Sequence, residues 1–381
     1  MKKMYLIFHG RFPSEKAAAL FAAKSAESFA HEGMKVTLLV PRRLGRFKQD
    51  PFSYYQLQEK FEIIYLPTID LFSIPIIKYV AFRVSFIVFS ISALLYMLFY
   101  SNQRSIVYSN ESLPLYFISF FFKNVFYELH DFPEKKKAWY QRIFDRMAGI
   151  ISHTHWKCEA LVSNFAIAKE KIFYEPNAVE LSMFDIAQSK AKARQVLGIT
   201  STYVVVYTGH LYTWKGVDVL AEAVAMLPPD TAVYIIGGTE SDITIFNAAH
   251  AGVENLHVIG FKPHAEIALW QKAADVLVLP NSGKEAISKY YTSPMKLFEY
   301  MASRVPIVAS RLPSILELID ESTAFFFTPD DAQACATMIR TVLQSPDEAQ
   351  KRSSGAYLRV QEWTWKKRAK RILTFIDGTT L

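Results

Sequence analysis

The chain has only two cysteines, Cys158 and Cys335, too few and too far apart for a disulfide framework or a cysteine-based zinc site. A reducing, cytoplasmic setting fits that scarcity. Glycine-rich phosphate loops are also missing: neither G-x-G-x-x-G nor G-x-x-x-x-G-K-[ST] occurs. That removes the main support for a hydride-transferring dinucleotide enzyme and excludes a P-loop NTPase. A D-x-D pair and a His/Cys/Asp cluster at metal spacing are absent too, so a phosphate-handling site is expected to rely on cationic side chains and helix N-termini, with no metal. With 14 Gly, 17 Pro and 51% hydrophobic residues, low-complexity and disordered architectures are ruled out.

Nor does the chain carry charge of one sign throughout. Up to Asn177 there are 23 Lys and Arg against 15 Asp and Glu, and from Ala178 onward 20 against 21. A neutral second half argues against a nucleic-acid partner; the basic first half suits an anionic membrane surface or a phosphorylated acceptor, and a generally basic solvated surface accounts for it equally. The five apolar residues Met4 to Phe8 are too short for a signal peptide and read as a strand. Val84 to Tyr100 is 17 residues without a charge, diluted by Ser85, Ser90 and Ser92. A buried or membrane-grazing helix is expected there rather than a spanning one. Phe72, Tyr79, Phe82, Phe86, Phe89, Tyr96 and Phe99, with Lys78 and Arg83, suit an interfacial position, though core packing explains them too.

What is present reads as two α/β domains facing a cleft, since 381 residues exceed one ordinary core. Met4–Phe8, a helix capped by Ser14 and ended by Gly33, and Val36–Val40 form a βαβ unit with its ligand-facing loop at His9 to Pro13. Strands follow at 63–66, 106–109, 125–129, 149–152 and 172–174. After Glu175-Pro176-Asn177 a second series begins, at 203–207, 232–236, 256–259, 276–279, 305–309 and 324–327. The fold class is therefore two doubly wound parallel-sheet domains, 1–177 and 178–356, with residues 357–381 a single helix returning to the first.

Two loops of the second series carry phosphate chemistry. Thr292-Ser293-Pro294-Met295-Lys296 reads as a helix start with Ser293 as N-cap and Pro294 at the first position, leaving free N–H groups for an anion. Gly209 to Gly216, with His210 and Lys215, opens at the mouth of the same sheet, so Lys215 and that helix can clamp a diphosphate from two sides. Glu299, about two turns in, is placed to accept sugar hydroxyls. His153 and His155 look metal-like alone but read as a surface helix start, and Lys284, Glu285 and Lys289 as solvated loop charges.

FPSEKAAALFAAKSAESFAHEGMKVTLLVPRR, VFYELHDFPE, YTGHLYTWKGVD, AADVLVLP and TSPMKLFEYMASRVPIVAS, in this order over nearly the whole chain, resemble the retaining glycosyltransferases of family 4, with the GT-B fold. The resemblance implies a nucleotide-diphospho-sugar donor, UDP- or GDP-linked, held by the C-terminal domain. It implies a saccharide or lipid-linked acceptor on the N-terminal domain, transfer with retention and no cofactor. It assigns catalysis to His130, Lys215 and Glu299, with Gly10 approaching the diphosphate and Gly260 and Phe261 meeting the base. Gly209, His210, Tyr291, Thr292, Ser293, Pro294, Met295 and Lys296 complete the donor site. Two positions depart: the first acid of E-x7-E falls on Tyr291, and the arginine of G-R-x4-K on His210. Ser293 to Tyr300 fits a subgroup pattern, S-P-x-K-x-x-E-Y. The implied role is envelope or surface polysaccharide assembly, peripheral on the inner face of the membrane. A catalytically inactive nucleotide-sugar-binding scaffold is the alternative that Tyr291 raises.

Overall fold

The structure, a computed structural model, describes residues 2–43, 49–70 and 78–379; Phe72 and the Lys78 side chain lie outside what it describes. Near-continuous apolar runs become strands buried on both faces, as parallel sheets require. They are β1 (Lys3–Ile7), β2 (Lys35–Pro41), β3 (Glu62–Leu66), β4 (Ile106–Ser109), β5 (Val125–Leu129), β6 (Gly149–Ser152) and β7 (Ile172–Tyr174). All pair in parallel, in the order β3-β2-β1-β4-β5-β6-β7. A second series holds β8 (Tyr203–Thr208), β9 (Thr231–Ile236), β10 (Leu256–Gly260), β11 (Val276–Leu279), β12 (Ile307–Ser310) and β13 (Phe325–Phe327). Their order is β10-β9-β8-β11-β12-β13, again parallel. In each sheet the order reverses beside the first strand, between β1 and β4 and between β8 and β11. In such sheets ligands bind at that switch, outside the carboxyl ends of the strands.

The chain divides into two compact units, Met1–Glu175 with Trp365–Leu381, and Pro176–Thr364. The expected single helix from 357 is instead two, Pro346–Val360 and Trp365–Thr379. The break has a packing cause: Val179 N–H donates to the Trp363 carbonyl at 2.9 Å, and the Trp363 ring meets Phe298 edge-on at 5.4 Å. Residues 357–364 thus stay with the second unit, and the helix Trp365–Thr379 packs in the first, where Ile372 and Ile376 join Phe29 and Phe126 in one core.

Ser14 does not cap the first helix, which begins at Ala17 with Lys16 at the cap. The Ser14 backbone is held instead by Tyr55, whose hydroxyl accepts from its N–H at 2.7 Å. His153 is not at the surface either. It follows β6, buried inside the first unit, and Thr154 caps the helix His155–Phe165 by accepting from Lys157 N–H at 3.3 Å.

Candidate functional site

The loop between β8 and the helix Val217–Ala223 is fixed by two phenols. The Tyr207 hydroxyl donates to the His210 carbonyl at 2.7 Å, and the Tyr300 hydroxyl accepts the Thr208 N–H at 2.9 Å. Between these anchors Gly209 adopts φ +127°, where a side chain is strained, and a Cβ there would lie 2.7 Å from Lys296 Nζ. The loop then makes a 3₁₀ turn, Thr213–Lys215, and Gly216 at φ +65° passes so close to Pro280 that a Cβ would lie 2.0 Å from its carbonyl oxygen.

Two lysines meet at this loop. Lys215 Nζ lies 3.7 Å from the centroid of the Trp214 ring, and Lys296 Nζ stands 3.7 Å from that of Tyr207. Burial pushes the Lys215 pKa down to about 7, and burial together with the field of Lys215 holds Lys296 well below its ordinary value. Among the described residues, Lys296 Nζ has no hydrogen-bond partner. Glu299 favours the Lys296 charge only through its field, and two such lysines held together are relieved further by an anion placed between them.

Lys296 reaches this position from the helix Met295–Ala302. The expected cap is displaced by one residue: Pro294 is the N-cap, because the Ser293 hydroxyl accepts instead from Asn177 N–H at 3.1 Å. The Asn177 side-chain amide also donates to the Ser293 carbonyl, so Asn177 anchors the turn before the helix. Thr292 N–H bonds the Ile287 carbonyl, Tyr291 is buried, and Met295 opens the helix. Glu299 is the fifth helical residue, one turn in rather than two. Its Oε1 lies 3.1 Å from Nε2 of His264, a residue that sequence reasoning missed. The signal was available, since His264 opens a helix three residues after Phe261.

Gly260 ends β10 and its carbonyl accepts from Gly237 N–H at 2.8 Å, while Phe261 is exposed. The His210 ring stacks on Tyr212 at 5.0 Å. Glu285, read as solvated, accepts from the Thr213 hydroxyl at 3.0 Å and braces the Lys215 turn.

In the first unit, His130 follows β5 and packs edge-on against Phe21 and beside His153, each at 4.7 Å between centroids. Its backbone carbonyl accepts from Lys157 Nζ at 2.9 Å. Glu128, His130 and His153 bring ligand atoms within 4.8 Å of one another. Glu128 is already engaged, by the Arg368 guanidinium and by His153 Nε2 at 2.8 Å. An enclosed guanidinium beside these donors opposes a metal cation, so the cluster reads as a frame for His130. Gly10 follows His9, whose N–H donates to Glu111 Oε1 at 2.9 Å and whose carbonyl accepts from Arg43 at 2.8 Å. A Cβ on Gly10 would collide with the Phe8 ring, 2.1 Å away.

Comparison with known proteins adds to this geometry. An Anabaena protein, HepE, crystallised with UDP, superposes with a TM-score of 0.77 over 99% of this chain and 100% of its own, at 17% identity. Sucrose-phosphate synthase from Thermosynechococcus elongatus gives 0.79 over 99% of both chains at 18% identity. The fold is GT-B. Within this GT-B chain, residues 202–345 match the family described as Glycosyl transferases group 1. A D-inositol 3-phosphate glycosyltransferase of Jonesia denitrificans is 23% identical over 257 residues, 63% of this chain and 59% of its own length. A glycogen synthase of Mycobacterium tuberculosis is 30% identical over 170 residues, 42% and 39% respectively. The GT-B chain thus spans about three-fifths of the length of the first curated relatives it matches.

Gly209→Ala tests the lysine geometry directly. The added methyl strains the backbone by about 1–3 kcal/mol and pushes Lys296 aside. Pyrophosphate affinity, measured calorimetrically, should fall at least about tenfold; unchanged affinity would place Lys296 outside the anion site.

Proposed function

We propose that this chain is a retaining glycosyltransferase of family 4 that moves a sugar from a UDP- or GDP-linked donor to an acceptor hydroxyl in envelope or surface polysaccharide assembly. The observation that carries this is the pair Lys215 and Lys296, brought together around Gly209 with Lys296 Nζ lacking a hydrogen-bond partner among the described residues and a histidine-held Glu299 one turn along. The lysines receive the diphosphate, Glu299 accepts the ribose hydroxyls, and the backbone near Gly260 and Phe261 meets the base. The acceptor, a saccharide or lipid-linked saccharide, is the first unit's substrate, and His130 is assigned to the transferring sugar.

In the reaction the acceptor oxygen bonds to the anomeric carbon on the face from which the diphosphate leaves, and the departing phosphate oxygen takes the acceptor proton. Catalysis then rests on position and on stabilising the charge that grows on the leaving group, which the two lysines supply without a dedicated metal. Tyr291 removes one sugar contact but leaves both lysines and Glu299 in place, so the inactive scaffold is not favoured.

Calorimetric titration with UDP, GDP, ADP and dTDP and their sugar conjugates tests the reading. One nucleotide should bind selectively, and Glu299→Ala should weaken it about 10–100-fold, the range for hydrogen bonds to a charged group. Silence across the panel, or equal binding by the variant, would count against this donor site.

A further inference from the structure

The helix Lys78–Tyr100 in the first unit is inside out. Its buried stripe, Ala81, Ser85, Phe89, Ala93 and Met97, recurs every fourth residue and includes two alanines and a serine. Its outward stripe, Val80, Ile87, Ile91, Leu95 and Leu98, is wholly aliphatic and exposed. A helix lying on a water-bathed domain shows the reverse pattern, and an apolar face this long marks an interaction surface.

The buried stripe also limits what the helix can do. Ser85 Oγ lies 3.2 Å from His9 Nε2, and the Thr68 hydroxyl donates to the Ser85 carbonyl at 3.0 Å. Although the helix is long and apolar enough to cross a bilayer, one side of it is fixed to the unit by polar contacts, so lipid cannot surround it. It can lie only along an interface.

Charge selects the partner. Tyr79 caps the outward face at one end and Phe99 at the other, each 79% exposed. Arg83 stands over the Tyr79 ring at 5.5 Å. At the far end Gln103 donates to the Phe121 carbonyl at 3.0 Å, bringing exposed Phe120 and Phe121 beside exposed Arg104 and Lys123. From residue 71 to 127 the chain has four cations and one acid, Glu111, whose carboxylate is taken up by His9 N–H. A second copy of this chain would bring the same cationic rim against itself. A bilayer with anionic headgroups satisfies both the aliphatic stripe and the rim.

We propose that this helix face, with Phe120 and Phe121, seats the first unit in the headgroup–acyl boundary of an anionic bilayer. The surface is independent of the donor site and stands whether or not the nucleotide reading holds.

Sedimentation of the full chain with phosphatidylcholine vesicles, with and without phosphatidylglycerol, provides the test. Wild type should bind the anionic vesicles at least about tenfold more tightly than the neutral ones. The variant Arg83→Gln/Arg104→Gln/Lys123→Gln should lose about fivefold per cation on anionic vesicles only. Ile87→Asn/Ile91→Asn/Leu95→Asn should lose binding to both while melting as wild type does; if it fails to fold, the charge variant and the salt dependence of wild type still decide. Absence of wild-type binding, or equal binding by the charge variant, overturns the proposal. So does a dimer of the full chain that the asparagine variant converts to monomer, which would assign the face to a second copy.

Discussion

Lys215→Ala should lower kcat by about 10²–10³-fold while changing the donor KM far less, as expected for a charge that stabilises the departing diphosphate. Single-turnover transfer assays read this without interference from product release. The reason lies in what surrounds the ammonium: burial over the Trp214 ring weakens solvent screening, so its field acts on the ligand. Unchanged kcat/KM would remove the role. The same lysine sets a pH signature. With a pKa of about 7 in the free protein it is charged below that pH and neutral above it, and a bound diphosphate must raise the value again. Above about pH 7 binding therefore takes up a proton and affinity falls as pH rises; below it affinity levels off. Titrations in two buffers of unlike ionisation heat, at about pH 8, should show that uptake in wild type and a reduced uptake in Lys215→Ala.

Arg368→Met should destabilise the first unit by about 3–5 kcal/mol, the cost of leaving a buried carboxylate without its partner. Both side chains of the pair are only 2% exposed. Burial alone would raise the Glu128 pKa, but the Arg368 guanidinium and the neighbouring histidines hold it well below the usual carboxylate range. The stability this contributes is present above the unfolded carboxylate value, about 4.3, and is lost as pH falls through the depressed folded value. Urea unfolding, with hydrogen exchange at β5 to localise the loss, measures the effect. Glu128→Gln/Arg368→Met should recover most of it, since a neutral buried pair strands no charge. A double variant as unstable as the single one would show that Arg368 acts by packing alone, through contacts such as its 5.1 Å approach to the Phe21 ring.

The strands were legible because parallel sheets bury both faces, so a run such as Val276–Leu279 or Ile106–Ser109 announces itself. Lys215 and Lys296 were legible because they lie in loops and helix starts at the ends of such strands. Helix starts misled where a distant group tied down the chain before the helix: Tyr55 holds the Ser14 backbone, leaving its hydroxyl to accept from Lys16 N–H, and Asn177 N–H donates to the Ser293 hydroxyl, and no local pattern encodes the Tyr55 or Asn177 contact. His264 escaped notice for the same reason, since Glu299, 35 residues on, is brought close to it only by the fold. His153 was misread because a histidine following a strand is assigned to the surface unless an acid waits inside, and Glu128 is one strand away. The outward aliphatic stripe could not be distinguished from core packing in the sequence, because periodicity reports a face without saying which way it points.

The chain leaves the first unit after Glu175 and returns at Trp365, so a ribosome delivers the whole of the second unit before the first has its last helix. Glu128 must therefore stay out of its final enclosure, or stay hydrated, until Arg368 is made 240 residues later. During synthesis the downstream unit can mature ahead of the upstream one, inverting the usual N-to-C order, and the buried ion pair acts as the latch that closes the first unit last.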